Sequence, residues 1–503
     1  VPKQLIPLSV ASPGFYGLNK QQGSSILPPG WASEATNLVY DDTGRLASRE
    51  GYKNIFSSNP TGTPKAIHEY VDASGSRITI FTTNNAIYKD DEDGTFTNIS
   101  GSVTTPTADN WKFQNFNGTC VGYQAGHDPI ALTTVGGTFI DGTGTQHAGD
   151  TVLASNGRLW TIFDNTLYYS DLLINTYAGG SSGSFDLATY WREGMDEAVA
   201  IVEFNGYLVV FGKDNIIVYS NPDDPTSSMA IVENIGGIGC VARDSVQDIG
   251  TDLLFLSRTG IRSLGRTIQE KSSPIRDISK NIKDYIIQTY SAETGNIKSV
   301  YNSEDGFYAI SFPSNSKTFV FDLKLLNQDN TPKVTEWDIA PTALAYTITA
   351  DMLMGFTTRV SEYTGYLDDV ARDDTGGNTY SIEWVGNWND FGQEVSSLVK
   401  IPKKMSILMG GVAGRTVTIK WAYDYIDSFS STNITFTSGT VARYGIATYT
   451  NGIYSGLLTF NTAKTTLQSS GQVMKFGIEA SVNEEQIILQ RLDILAKVGR
   501  YAI

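Results

Sequence analysis

From about residue 66 to 370 the chain repeats one theme: a short apolar strand, a turn rich in Asn, Asp or Gly, and then an aromatic-rich strand. One copy runs from Ala154 to Asp171 (ASNGRLWTIFDNTLYYSD), another from Ile201 to Ser220 (IVEFNGYLVVFGKDNIIVYS), and a third from Gly250 to Leu264 (GTDLLFLSRTGIRSL). Weaker copies lie around Arg77 to Lys89, Lys112 to Leu132, Gly306 to Leu323 and Met352 to Leu367. The first strands begin near residues 66, 109, 149, 197, 240, 297 and 343, so the units are about 40 to 57 residues apart, the length of a four-stranded propeller blade. A β-sandwich stops after seven to nine strands. An open sheet of this size would expose long unpaired edges, which a closed radial array protects. The expected fold is therefore all-β: a β-propeller of seven blades, with six as the alternative. Trp337-Asp338 is a lone WD dipeptide, so the pattern is not that of WD40 repeats.

Three boundaries follow. Residues 1–60 read as an N-terminal arm, with turns at Pro28-Pro29-Gly30 and Asp41-Asp42-Thr43-Gly44, that supplies the propeller's closing strand. Residues 61–370 are the propeller, with a helical insertion near 272–295. There Ser273 suits an N-cap and Pro274 the first turn, while Ile275, Ile278, Ile282 and Ile286 share one face. Past Asp374-Thr-Gly-Gly377 the texture changes, and residues 376–503 read as an antiparallel β-sandwich. Apolar and polar residues alternate over 379–387, 404–409, 416–423, 434–437, 444–450, 474–481 and 487–498.

Composition narrows the function classes. The 26 Tyr, 22 Phe and 8 Trp suit pleated, half-buried surfaces, and 49 Gly suit many turns. The formal charge of −16 is the opposite of what a phosphate-gripping protein carries. Cys120 and Cys240 are the only cysteines, which makes no disulfide framework and points to synthesis in a reducing cytoplasm. The opening Val1-Pro2-Lys3-Gln4 has no signal-peptide character, and no apolar run is long enough for a membrane anchor.

Chemistry-bearing motifs are sparse. His68, His127 and His147 are the whole histidine supply and fall in no zinc-binding spacing. Gly179-Gly-Ser181-Ser-Gly183 matches GxSxG but sits in a Gly/Ser-rich loop, whereas a nucleophile elbow joins a strand to a helix. Asp90-Asp-Glu-Asp93-Gly94 lacks the spaced ligands of a calcium loop and reads as a hairpin turn. Asp373-Asp374-Thr375-Gly376 reads the same way, and Ser303 to Tyr308 is a single, Trp-less fragment of an Asp-box. No catalytic, cofactor-binding or metal-binding residue is assigned, and the chain is expected not to be an enzyme. Paired carboxylates for glycoside hydrolysis depend on spatial separation and stay open at this level.

Several stretches resemble the tail nozzle (tail hub) proteins of short-tailed bacteriophages. They are Gly17-Leu-Asn-Lys20 with Leu27-Pro-Pro-Gly30, Ala35-Thr-Asn-Leu38, Gly44-Arg-Leu-Ala-Ser-Arg49-Glu-Gly51, Leu253 to Ser257 with Gly260 to Leu264, Phe307 to Pro313, Thr318 to Leu323, and Glu336-Trp337. They cover about residues 15 to 370. The resemblance implies a virion tail protein made in the bacterial host cytoplasm. It would form a homo-hexamer below the portal and the adaptor (head-to-tail connector). Tail fibres or tailspikes would dock beside it, and double-stranded DNA would be retained by it and ejected through it without specific binding. Six copies of a −16 chain favour a lumen that repels phosphate. Ring contacts would fall on the helix near Pro274 to Tyr290, the loop Leu172 to Tyr190 and the C-terminal sandwich. The alternative is a receptor- or carbohydrate-binding propeller, with or without glycan hydrolase activity.

Overall fold

The computed structural model describes the 503-residue chain except residues 1–4, 11–14, 25–26, 29, 104–109, 143–145, 192–194, 271–277, 393–394, 437–459 and 502–503. The expected strand at 444–450, and Pro29, Ser273, Pro274 and Ile275, lie outside the described residues.

Asn-Gly pairs set the hairpins. Asn117-Gly118, Asn156-Gly157 and Asn205-Gly206 all have positive φ at both positions, the requirement of a two-residue turn whose twist matches its flanking strands. Each joins the first two strands of a blade and fixes the register, pairing Phe116 with Thr119, Ser155 with Arg158 and Phe204 with Tyr207. Four blades are plain antiparallel four-stranded sheets. Blade 1 is Pro64–Val71, Arg77–Thr83, Ile87–Asp90 and Phe96–Asn98; blade 2 is Lys112–Phe116, Thr119–Tyr123, Ile130–Leu132 and Ile140–Asp141. Blade 3 is Thr151–Ser155, Arg158–Phe163, Thr166–Tyr169 and Gly183–Asp186; blade 4 is Ala198–Phe204, Tyr207–Gly212, Asn215–Ser220 and Ala230–Gly236. Among the described residues blade 5 has three strands, Gln247–Asp248, Leu253–Ser257 and Gly260–Ser263. Blade 6 begins with Lys298–Asn302, Phe307–Phe312, Lys317–Asp322 and Lys333–Trp337. Blade 7 takes Ala343–Tyr346, Met352–Phe356 and Arg359–Tyr363, and its outer strand, Tyr52–Asn54, comes from the N-terminal arm. First strands of neighbouring blades touch, except that the first strand of blade 4 meets the 3-10 turn Arg243–Ser245 just before blade 5, and that of blade 7 touches that of blade 1, so the ring is closed. The fold is a seven-bladed β-propeller.

Period-two geometry explains the continuous apolar runs. In blade 4, Leu208, Val210, Ile217 and Tyr219 face blade 3, whereas Val209, Phe211, Ile216 and Val218 face blade 5. A strand buried on both sides needs no polar alternate. Phe56, Phe81, Leu353 and Ala343 fill the gap between blades 7 and 1.

The second unit is a sandwich, but it is not C-terminal alone. One sheet holds Phe460–Thr465, Leu398–Gly410, Ile488–Tyr501, Leu46–Ser48 and Leu38–Tyr40, with Ile6–Val10 also paired to Ile488–Tyr501. The other holds Trp31–Thr36, Tyr380–Gly386, Met474–Val482, Thr416–Tyr423 and Ser430–Thr435. Met405, Ile407, Met409, Ile419, Ile478, Leu492 and Ile494 belong to the core they share. Residues 1–60, read from the sequence as an arm with one closing strand, are thus divided. Tyr52–Asn54 closes the propeller, and the earlier strands build the sandwich. Trp31–Thr36 pairs with Tyr380–Gly386 on one side and touches the last strand of blade 6 on the other, through Glu336 and Thr36. Blade 6 and the sandwich therefore share a single continuous sheet.

The start of the insertion lies outside the described residues, and the rest of it is described from Ile278 onward. The α-helix covers Lys283–Ala292, after a 3-10 turn at Lys280–Ile282, and a separate short helix covers Leu264–Glu270. Ile278, Ile282 and Ile286 are buried together, so the apolar stripe survives although its first part lies before the helix proper.

Candidate functional site

The residues singled out in the sequence do not converge. His68 is half-buried, with Nε2 3.1 Å from Asn115 Oδ1, and desolvation pulls its pKa down to about 4. His127 packs beside Trp111 and His147 stacks on Tyr168. Ser181 Oγ donates to Asp171 Oδ1 at 2.9 Å, and the same carboxylate accepts from Gly179 N–H and Thr176 Oγ1. The GxSxG segment is thereby a loop tied to Asp171, and among the described residues its serine has no histidine partner. The acidic turns spend their carboxylates locally: Asp90 accepts from Glu92 N–H, Asp93 from Thr95, Asp41 from Thr43 and Arg45, and Asp373 from Thr375. Cys120 and Cys240 are buried in different blade interfaces, and burial pushes the Cys240 thiol up to about 11. No group of three or more His, Cys, Asp or Glu among the described residues is arranged to hold a metal ion.

Two charge networks and one surface stand out instead. The first lies where the innermost strands meet at the propeller axis. Asp244 Oδ2 accepts from Lys298 Nζ at 2.6 Å and from Arg243 Nη2 at 2.9 Å, and Lys112 Nζ stands 3.7 Å from Oδ1. Arg243 and Lys298 also donate to Asn110 Oδ1, and Arg243 donates to the Asp150 carbonyl. These ties cross blades 2, 3, 5 and 6. Burial alone would raise the Asp244 pKa, but Arg243, Lys298 and Lys112 outweigh it and hold the carboxyl well below its ordinary value. A cavity of about 110 Å³ opens beside this network. In sequence these residues share no motif: Lys112 and Lys298 open their blades, and Arg243-Asp244 precedes blade 5.

The second network joins propeller and sandwich. Arg49 is fully buried and forms a bidentate pair with Asp368, Nη1 to Oδ1 and Nη2 to Oδ2, both at 2.7 Å. Its Nε donates to Asn37 Oδ1, Nη1 also reaches the Glu50 carbonyl, and the guanidinium lies 4.1 Å from the Tyr380 ring centroid. One side chain thus ties the arm to the segment after blade 7 and to the first C-terminal strand. Beside it is a cavity of about 240 Å³ lined by Asp41, Asp42, Glu50, Asp305, Asp322 and Lys324, among others. Burial first, and then Asp305, Glu304 and Glu362, raise the Glu50 pKa to about 7.

The surface is the loop after blade 3. Leu172, Leu173 and Ile174 are consecutive and are 52%, 55% and 56% exposed. Leu173 has φ +60°, a conformation that costs a non-glycine residue energy, and its N–H donates to the Gly157 carbonyl while Asn117 Nδ2 donates to its carbonyl. The helix Lys283–Ala292 is different. Tyr285 donates to Glu336 and packs on Phe319, Glu293 accepts from Ser314 N–H, and no large hydrophobic of the helix is exposed. It is seated on its own propeller.

No protein-family model matches the chain, and no curated protein does. Among solved structures it is similar to one titled "Streptogramin B lyase structure", at 14% identity over 62% of this chain and 97% of that one, with a TM-score of 0.36. YCF48 from Cyanidioschyzon merolae gives 9% identity over 62% and 98% of the two chains, with a TM-score of 0.37. The Pan2 WD40 domain of Neurospora crassa gives 10% over 60% and 89%, with a TM-score of 0.35. Likenesses this distant say nothing about activity.

Proposed function

We propose that this chain is a structural wall element of a ring, the tail nozzle of a short-tailed bacteriophage, and not an enzyme. The observation that carries the reading is the Leu172-Leu173-Ile174 knuckle. Consecutive apolar side chains held in solvent by a strained, hydrogen-bonded loop suit a protein contact better than a substrate site. Two features support it. The sheet shared by blade 6 and the sandwich, pinned by Arg49, makes a stiff two-part body. The ion-paired axis leaves the propeller's own centre unsuited to passing a polymer, so a conduit would be the hole between subunits. Six such subunits would stand below the adaptor ring, with fibres or spikes beside them, and would hold and then pass double-stranded DNA through a repelling lumen.

The test is electron microscopy of the native particle and of the purified chain. The expected result is a six-fold ring of this protein in the virion tail, with mostly monomer at low concentration after purification. Leu173→Asp should leave the monomer folded and reduce its incorporation into particles. One or three copies per particle would sink the conduit reading. Retention of a glycan in a cleft, lost on changing one carboxylate, would favour the receptor- or carbohydrate-binding alternative.

A further inference from the structure

The cavity at the propeller axis is short of negative charge. Lys65 of blade 1, Lys112 of blade 2, Asp244 before blade 5, and Lys298 and Ser299 of blade 6 line it, and Arg243 backs it. Three lysines from three blades, with Arg243 behind them, therefore surround a cavity whose lining holds one carboxylate, Asp244; Asp150, outside the lining, interacts with Arg243. The Asp244 carboxylate is fully used: Oδ1 accepts from Arg243 Nε at 3.0 Å, and Oδ2 from Arg243 Nη2 and Lys298 Nζ. Lys112 is too far from Asp244 for a hydrogen bond, at 3.7 Å, and its side chain is 41% exposed, so the cavity reaches solvent. Lys65 has no ion pair among the described residues. The excess is notable in a chain of net charge −16, where a surface placed at random would be acidic.

We propose that this axial cavity binds one phosphoryl-type oxyanion, held by Lys65 and Lys112 from the solvent side and by the field of Lys298 and Arg243 from within. Like charges brought together in a partly desolvated site repel, and a multiply charged anion relieves that repulsion where a single saturated carboxylate does not. Lys298 records the imbalance: burial lowers its pKa, Arg243 and Lys112 add to this, and Asp244 opposes it without restoring the ordinary value. Size agrees as well. One water needs only about 10–15 Å³ of such a cavity, so about 110 Å³ accommodates several waters or one tetrahedral oxyanion in their place. Lysine suits the task, since it meets phosphate as a compact point charge with rotatable donors.

The experiment is calorimetric titration of the full chain with inorganic phosphate, with potassium chloride of equal ionic strength as the control. Saturable one-to-one binding with phosphate and none with chloride is expected. Lys65→Met with Lys112→Met should weaken it at least tenfold, Lys112→Arg should retain it, and Lys464→Met, on the exposed face of a sandwich strand, should leave it unchanged. Methionine keeps the apolar stem, and Lys65→Met alone serves if the double variant is misfolded by circular dichroism. A second arm adds a short 5′-phosphorylated oligonucleotide to the phosphate-bound protein: displacement assigns the site to a chain-end phosphate, and lack of displacement to the free ion. Absence of binding above the chloride control, or equal binding by the folded double variant, overturns the proposal. This outcome is independent of ring formation.

Discussion

Replacing Arg49 tests how propeller and sandwich are joined. Its guanidinium has no solvent exposure, and six contacts converge on it: both oxygens of Asp368, the Asn37 side chain, the Glu50 carbonyl, the Tyr380 ring and, at 3.8 Å, the exposed Asp338 carboxylate. Removing one partner of a buried, hydrogen-bonded pair costs about 3–5 kcal/mol, because the other charge is stranded where water solvates it poorly. Asp368→Leu leaves the fully buried Arg49 with only the exposed Asp338 carboxylate, 3.8 Å away and well solvated, and belongs at the upper end. Arg49→Met leaves Asp368, whose side chain is 12% exposed, and belongs nearer the lower end. The double variant should cost less than the two single costs combined, by at least about 2 kcal/mol, since the second change no longer strands a charge. Arg49→Lys should recover little, because an ammonium cannot make the paired contact to Asp368. Urea unfolding followed by tryptophan fluorescence reads all four variants. Trp384 and Trp337 lie in the two units that Arg49 connects, so one signal samples both. If Arg49→Met fell within about 0.5 kcal/mol of wild type, or if the single costs simply added, the central role given to this pair would be refuted.

Other expectations follow from particular groups. Glu50 holds its proton longer folded than unfolded, so stability present at pH 4 is lost as pH rises from about 4.5 to about 7. The unscreened limit is about 3.4 kcal/mol, reduced to about 1–2 because Glu50 keeps contact with water; Glu50→Gln should flatten that part of the stability–pH curve, and an unchanged slope would refute the assignment. Gly51→Ala should destabilise severely, since a Cβ there would overlap the Leu367 backbone carbonyl; a soluble variant of wild-type midpoint would count against the packing described. Cys120 and Cys240 should resist a thiol reagent until the protein unfolds, because both are buried with raised pKa values. Fast labelling of the native chain would contradict their placement.

The propeller was legible because its signals are local. Asn-Gly turns fix hairpins within a dozen residues, and a run such as Leu208-Val-Val-Phe211 reports burial on both faces without knowledge of what lies opposite. The axial network was not legible by the same means. Lys112, Arg243 and Lys298 are far apart in the chain and meet only because ring closure brings first strands together. The helix was half legible: Ile278, Ile282 and Ile286 do share a buried face, but Ile278 precedes a 3-10 turn at Lys280–Ile282 and the α-helix begins at Lys283. A stripe of apolar residues records burial and leaves open whether a helix, a 3-10 turn or a loop presents it.

The arm shows the same limit from the other side, and it bears on how the protein holds together. Short strands such as Leu38–Tyr40, Leu46–Ser48 and Tyr52–Asn54 carry too little pattern to name their partners. Their partners are Ile488–Tyr501 for Leu46–Ser48 and Arg359–Tyr363 for Tyr52–Asn54. Between those two pairings stand only Arg49, Glu50 and Gly51. The arm passes from sandwich to propeller in three residues, one fully buried and ion-paired, one with a raised carboxyl pKa, and one too close to Leu367 for a side chain. Neither unit is then complete without a segment whose other end belongs to its neighbour. Loss of the arm removes a blade strand and several sandwich strands together, so the two units should unfold in one transition. A fragment covering residues 61–370 lacks the outer strand of blade 7 and leaves the Asp368 carboxylate without Arg49. It should be markedly less stable than the full chain in urea; equal stability would show that the propeller closes without the arm.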